Sequence, residues 1–365
     1  MRRRKPKVRT ISRRALAALL LMLALPAVGA MPFTGDTLPE TSTPKTPKKR
    51  NIITWTVDFI ENFLKQDTMY VSPNKFNLTA MPQYTYSYEY YRFATSDRSQ
   101  SISVSPVSNN KLGMYFGWRW IFLGYSFSLS DSQPKFDMEL NLYCSRLGLE
   151  LFYRKRDDGF RIRNLKGFND NGIPLTDYSR EFNGLSVSQG GANLFYIFNY
   201  KKFSFPAAFS QSTNQRISAG SFILGLSYNE QLFNFDYTKV DPRIESLMQT
   251  ELKFDKADYK DFSINLGYSY NWVFAKDFLA NISLSPAIGY KNTSLKLDIS
   301  NSKEFISSIN FDLISRLALV YNNGRYYAGA SLVSHTYSYR KTSLSILNGF
   351  GHLKVYMGIN FWRRK

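Results

Sequence analysis

Chemistry in this 365-residue chain has few residues to draw on, because it carries two His and one Cys. A lone cysteine, Cys144, excludes a disulfide framework and any Cys-rich zinc or iron–sulfur site. Two histidines supply too few ligands for a multi-His metal centre. A Ser two positions from a His on a strand would share its face, so that the base could reach the nucleophile of a hydrolase. His335 has Val333 and Tyr337 at those positions and Ser334 beside it; His352 has Phe350 and Lys354. Neither spacing matches. No Walker loop, dinucleotide fingerprint, EF-hand loop or Cys/His zinc spacing occurs, and Gly190-Gly191 opens a strand pattern and precedes no helix. The expectation is no catalytic residue, no cofactor and no metal.

Charged and amide side chains that share the polar face of strand patterns are the remaining candidates. Asp312 and Arg316 lie four residues apart, about 13 Å at strand rise, so each is expected to pair with a neighbouring strand and not with the other. Lys354 points the same way by alternation. Together with Asn310, Asn271 and His335 they form a candidate interior polar network. Such a network either plugs a narrow barrel or lines a path for a polar solute; the plug is favoured, because a small lumen is already filled by Tyr and Asn. Glu139, Arg146 and Glu150 cannot all face inward unless a bulge near Cys144 shifts the alternation.

The elements that hold these residues show a period of two. Ile264, Leu266, Tyr268, Tyr270, Trp272 and Phe274 alternate with Asn265, Gly267, Ser269 and Asn271, and Phe278, Ala280, Ile282 and Leu284 alternate with Asn281, Ser283 and Ser285. One face is apolar, the other small and polar. The strands are predicted near 84–94, 99–107, 111–129, 135–155, 184–200, 216–230, 258–274, 278–292, 304–321, 325–339 and 346–361. Many exceed the five or six residues usual in soluble sheets and are long enough to cross a bilayer at a slant, which takes about 9–11 residues. Aromatic residues gather at strand ends, as in Tyr326-Tyr327 and Phe361-Trp362, which suits a bilayer–water boundary. The fold expected is all-β: a closed antiparallel transmembrane β-barrel over 70–362, of about twelve strands, with 75–81 as the missed one and ten possible if 99–107 is a loop. Connections at 275–277, 322–324 and 130–134 are short, whereas 156–183, 231–257 and 293–303 are long, the alternation of periplasmic turns and outer loops. The connection 203–215 is longer than that rule expects.

Ahead of the barrel, residues 1–30 have the three-part layout of a secretory signal: a head with eight basic residues, an apolar run from Ala15 to Leu25 and a small-residue exit, with cleavage between Ala30 and Met31. Residues 31–52 form a Thr/Pro/Lys leader, and Ile53, Val57, Ile60 and Leu64 predict a short amphipathic periplasmic helix over 53–66. The formal net charge is +19, but the signal supplies much of it and the remaining basic residues are scattered, so nucleic acid is not an expected partner. Outer-membrane lipid is, together with the barrel-assembly machinery during biogenesis.

Four strings are similar to a known family: Tyr70-Val71-Ser72-Pro73-Asn74-Lys75, Gly117-Trp118-Arg119-Trp120-Ile121-Phe122-Leu123-Gly124-Tyr125, Phe203-Ser204-Phe205-Pro206-Ala207-Ala208-Phe209-Ser210-Gln211-Ser212 and Tyr270-Asn271-Trp272-Val273-Phe274-Ala275. They resemble the Bacteroidota barrels catalogued as domain of unknown function number 4421, over roughly 70–361. The resemblance implies an outer-membrane barrel and no particular activity. The function expected is a non-enzymatic narrow pore or scaffold with outward loops; a lumen or rim enzyme acting on envelope lipid or glycan, and an exported β-protein binding a hydrophobic ligand, are the alternatives.

Overall fold

The structure, a computed structural model, describes residues 64–106, 109–118, 121–129, 136–170, 173–174, 181–297, 303–340 and 344–363. The expected signal, the leader, residues 53–63 of the expected helix and the connection 130–134 lie outside them.

In chain order the strands are β1 (Val71–Pro73), β2 (Phe76–Thr95), β3 (Ser101–Pro106), β4 (Asn109–Trp118), β5 (Ile121–Ser128), β6 (Phe136–Tyr143), β7 (Leu147–Arg156), β8 (Phe160–Lys166), β9 (Asn169–Asp170), β10 (Ile173–Pro174), β11 (Glu181–Phe182), β12 (Leu185–Ile197), β13 (Thr213–Gln215), β14 (Ala219–Phe235), β15 (Phe254–Ala275), β16 (Phe278–Leu297), β17 (Lys303–Asn322), β18 (Tyr326–Arg340) and β19 (Leu344–Arg363). Two short helices interrupt them, α1 (Phe205–Phe209) and α2 (Pro242–Leu247). One antiparallel sheet runs β11-β8-β3-β2-β19-β18-β17-β16-β15-β14-β12-β7-β6, with β4 joined to β2 and β5 joined to β4. It forks on β2. Residues Leu78–Ser87 of that strand pair with β4, whereas Tyr91–Ala94 pair with β3, which continues to β8 and β11.

The sheet is strongly curled. Along the path from β19 to β6 seven strands intervene, which in a flat sheet would separate them by on the order of 40 Å at roughly 4.8 Å per strand. Yet Lys354 of β19 reaches Glu139 of β6 at 3.1 Å. The inner face therefore curls far enough for side chains of β19 and β6 to meet.

Several strand boundaries differ from the sequence reading, each for a local reason. The segments 75–81 and 84–94 are one strand, β2, that passes through Pro82. Proline lacks the donor a ladder needs, and the pairing of β2 with β19 skips from Gln83↔Tyr356 to Ala80↔Ile359 around it. The run 111–129 is two strands, β4 and β5, turning between Trp118 and Ile121 with neither Gly nor Pro to signal it. The run 135–155 is also a hairpin, β6–β7, and the alternation break near Cys144 marks a turn, not a bulge. That turn lets Glu139 and Glu150 both face inward. The segment 99–107 is a strand, β3, but belongs to the upper branch. Of the connection 293–303 the described residues, 293–297 and 303, are strand, since β16 runs to Leu297 and β17 starts at Lys303. The turn at 322–324 is as read: Asn322 Oδ1 accepts from the Gly324 amide at 2.8 Å, Asn323 Oδ1 accepts from the Tyr326 amide at 2.8 Å, and Gly324 takes φ 92°.

Outside, the face is apolar over a limited height. On β15 the outward residues from Phe262 to Phe274 are all large and exposed: Ile264, Leu266, Tyr268, Tyr270 and Trp272 lie between them. The ten residue steps from Phe262 to Trp272 span about 33 Å along the strand, or about 25 Å in height at a tilt of ~40°, the height of a bilayer's apolar band. Phe222, Leu224, Leu226 and Tyr228 continue the band on β14. It stops at the next outward pair, Glu230 and Lys260, which form an exposed ion pair at 3.5 Å. An exposed apolar surface this continuous would drive aggregation in water. Substituting Leu266→Arg, near the middle of the band, is expected to destabilise the lipid-embedded fold by about 2–4 kcal/mol, whereas Lys260→Arg leaves it unchanged; denaturant titration in vesicles reads the difference.

Candidate functional site

The inner face is built in three tiers, and every sequence candidate lies on one of them. At the end bearing the short turns 275–277 and 322–324, the chain leaves β12 and folds into the interior as α1. Pro206 starts this helix, where a missing N–H costs nothing. Phe203, Phe205, Ala207 and Ala208 are buried, the first pair against Phe195, Ile197 and Ile223, the second against Leu279, Ala318 and Val320. Amides tie this plug to the wall. Asn271 donates to the Ser204 carbonyl at 2.8 Å and accepts from Asn281 at 2.6 Å, Gln215 donates to the Lys202 carbonyl at 2.7 Å, and Gln211 donates to the Tyr356 hydroxyl at 2.6 Å. Asn271 thus belongs to the plug. The long connection 203–215 is explained by the same feature: its residues fill the barrel's mouth.

The middle tier is charged. Arg316 on β17 crosses the interior to Glu150 on β7, with its two nitrogens at 2.6 and 3.2 Å from the two carboxylate oxygens. Asn193 and the Tyr143 hydroxyl also donate to Glu150, at 2.8 and 3.0 Å. Charge-assisted, two-pronged contacts of this kind are the strong ones. Arg154 bridges Glu89 at 3.2 Å and Asp137 at 3.3 Å, and Lys111 reaches the same Asp137 at 2.6 Å. Lys291, 1% exposed, pairs with Asp312 at 2.9 Å and donates to the Ser338 carbonyl at 3.0 Å. Lys354 meets Glu139 at 3.1 Å, with His352 3.6 Å from the same carboxylate; this group is the least enclosed. Amides and hydroxyls complete the tier: Ser227 and Asn265 both donate to the Asn193 side-chain oxygen.

Asp312 and Arg316 do not pair with each other, in keeping with their spacing. Asp312 finds its partner on the adjacent β16, but Arg316 finds its own across the interior, beyond the reach of a neighbour-strand argument. Asn310 is buried on the inner face beside them. His335 is buried in an aromatic stack: its ring lies 4.9 Å from Phe350 and 6.2 Å from Tyr337, nearly parallel to both, and the Tyr337 hydroxyl is 3.4 Å from Nδ1. Sequence reasoning missed Glu150, Glu89, Asp137, Arg154, Lys111 and Lys291 as members. The first four hang on the unrecognised β6–β7 turn or on the merged β2. Lys291 was visible, since it alternates with Tyr290 as Gly289 does with Ile288.

The third tier rises past the Glu230–Lys260 boundary, and here the inner face turns apolar. Phe93 packs 5.4–5.8 Å from Phe233, Phe235 and Phe254, and Phe235 stacks on Phe254 at 5.0 Å. The upper branch contributes Ile102, Val104, Phe160, Ile162 and Leu165. The connection 236–253 folds over it, with Ile244, Met248 and Leu252 buried in the same cluster. Asp241 caps α2 by accepting from the Arg243 amide at 3.0 Å. Gln100 in the β2–β3 turn fastens this lid, donating to the Leu247 carbonyl at 2.8 Å and accepting from the Gln249 amide at 2.9 Å.

No curated protein matches the chain. Among solved structures it is similar to the outer membrane protease OmpT from Escherichia coli, with 9% identity, 80% of this chain and 98% of that one covered, and a TM-score of 0.37. It is similar also to the translocator domain of the autotransporter NalP from Neisseria meningitidis, with 7% identity, 78% and 89% coverage and a TM-score of 0.29, and to the toluene transporter TodX from Pseudomonas putida, with 8% identity, 78% and 90% coverage and a TM-score of 0.23. At such scores the likeness carries no functional inference. The family model described as Domain of unknown function (DUF4421) matches residues 65–361, the strings at Tyr70, Gly117, Phe203 and Tyr270 fall inside that span, and the chain belongs to this family.

Proposed function

We propose that the protein is an outer-membrane β-barrel with a sealed interior, a non-enzymatic scaffold that holds the β3–β8–β11 sheet and its lid beyond the lipid. The observation that carries this reading is the order of the interior: an apolar plug around α1, a tier of paired charges, and an apolar core above. A solute path needs a continuous polar lining, and here an apolar cluster closes each end. The seven outward apolar residues of β15, bounded by Glu230–Lys260, support lipid as the surrounding partner. The signal-like first thirty residues support export, and the barrel-assembly machinery is the partner that this architecture requires for insertion.

Closure is part of the proposal. The strands at the two free flanks of the curl, β5 and β6, are consecutive in the chain. Pairing them would leave no edge in lipid, where unpaired N–H and C=O groups are costly. Lys111 of β4 and Asp137 of β6 already meet inside this seam at 2.6 Å. The closed wall would then hold twelve strands, β2, β4–β7, β12 and β14–β19, an even number. His335 and His352 are read as interior packing and charge-pairing groups, not as catalytic bases.

Two measurements test this. Protein purified in detergent and reconstituted in a planar bilayer should migrate compactly when unheated and give no discrete conductance steps; steps would mean an open lumen and reject the sealed reading. Hydrogen exchange over 125–128 should be as slow as over 282–288 in the middle of β16. Rapid exchange at β5 alone would show an unpaired edge and reject closure.

A further inference from the structure

At the short-turn end, a cleft of about 660 Å³ opens beside the plug, within the ~300–1,000 Å³ range of small-ligand sites. Lys75, Arg216, Lys276 and Arg325 line it, with Asp277 as the carboxylate among its lining residues. None of Lys75, Lys276 and Arg325 has a carboxylate partner among the described residues, so the cleft carries unneutralised positive charge. Its amides are half used. Asn214 and Asn360 donate to the Asn322 carbonyl at 2.5 Å and the Gly324 carbonyl at 2.9 Å, and their side-chain oxygens accept from no group among the described residues. The cleft is blind. Gln211 also lines it, buried and held at φ 52°, a conformation that costs a non-glycine residue energy and gathers at ligand sites. Beneath it Ala207 and Ala208 pack on Leu279, Ala318 and Val320.

We infer that this cleft is a docking site for an anionic glycan, a carboxylate-bearing amino-sugar polymer. Unpaired cations suit its carboxylates; amide acceptors and main-chain carbonyls suit its hydroxyl and acetamido donors. The surrounding bilayer is a poorer fit, because an aromatic row separates the cleft from the lipid flank: Phe274 and Phe278 lie 5.8 Å apart, and Phe278 and Tyr321 5.0 Å apart. The assignment rests on the outer-membrane reading only for the compartment this end faces.

The probe is insoluble peptidoglycan, mixed with the full chain in detergent and sedimented. The protein should sediment with it at low salt. The exposed pair Lys276→Glu/Arg325→Glu should bind at least about tenfold more weakly, since placing like charges together is costly, while keeping the compact unheated migration that reports the fold. Soluble peptidoglycan fragments should release the bound protein and glycerol phosphate should not. No sedimentation, sedimentation unchanged in the charge-reversed protein, or release by glycerol phosphate alone would overturn the inference; the last would assign the cleft to a lipid headgroup. A conducting bilayer would reject the sealed interior and leave this result standing.

Discussion

A charge taken out of water has to meet its opposite, and in this protein that requirement shapes the interior. Glu89, Asp137, Glu139, Glu150 and Asp312 face inward, and Arg154, Lys111, Lys354, Arg316 and Lys291 meet them at hydrogen-bonding distances. Several pairs join strands that are far apart in the sheet. Arg316–Glu150 and Lys354–Glu139 hold the inner face against itself, so the curl and the charge pairing depend on each other. A flat sheet would leave those ions apart. Removing one partner of such a pair strands the other in a poorly solvated place, which costs more than the pair itself contributes.

The two faces exchange character at one height. Below the Glu230–Lys260 pair the outside is apolar and the inside polar; above it the outside is polar and the inside holds Phe93, Phe233, Phe235 and Phe254. On the proposed outer-membrane reading, this inversion follows from the solvent each part would meet. In lipid, the outside satisfies hydrocarbon and polar groups must turn inward. In water, the usual order returns and the upper sheet folds around a core like any soluble domain. The α1 plug is a smaller copy of that core at the other end. Between them lies the tier of paired charges, and this order of the interior is what supports the proposed scaffold.

Much of this was legible in the residues. Alternation in β14–β19 marks strand positions, facing and the short turns, because between the plug and the upper core most outward residues there are large and most inward ones are small or polar. Asp312, Arg316, Lys354 and His335 were placed on the inner face by the same rule. What failed was local: Trp118 pairs with Ile121 where no Gly or Pro between them signals a hairpin, and Pro82 sits inside a strand that reads as broken. The parity jump between Leu142 and Leu147 recorded a real event, but alternation alone does not distinguish a bulge from a hairpin. Cross-interior partners such as Glu150 depend on how far the sheet curls, and no short-range pattern encodes that.

The pair that spans the interior offers the most direct test. A double-mutant cycle of Arg316→Met and Glu150→Gln, followed by denaturant unfolding in vesicles, measures their coupling. Each single change should cost about 3–5 kcal/mol, and the double change should cost clearly less than the sum, with a coupling of about 1.5 kcal/mol or more. Strictly additive losses would mean that the two side chains do not meet, and the account of a sheet held in its curl by charges paired across its interior would be wrong.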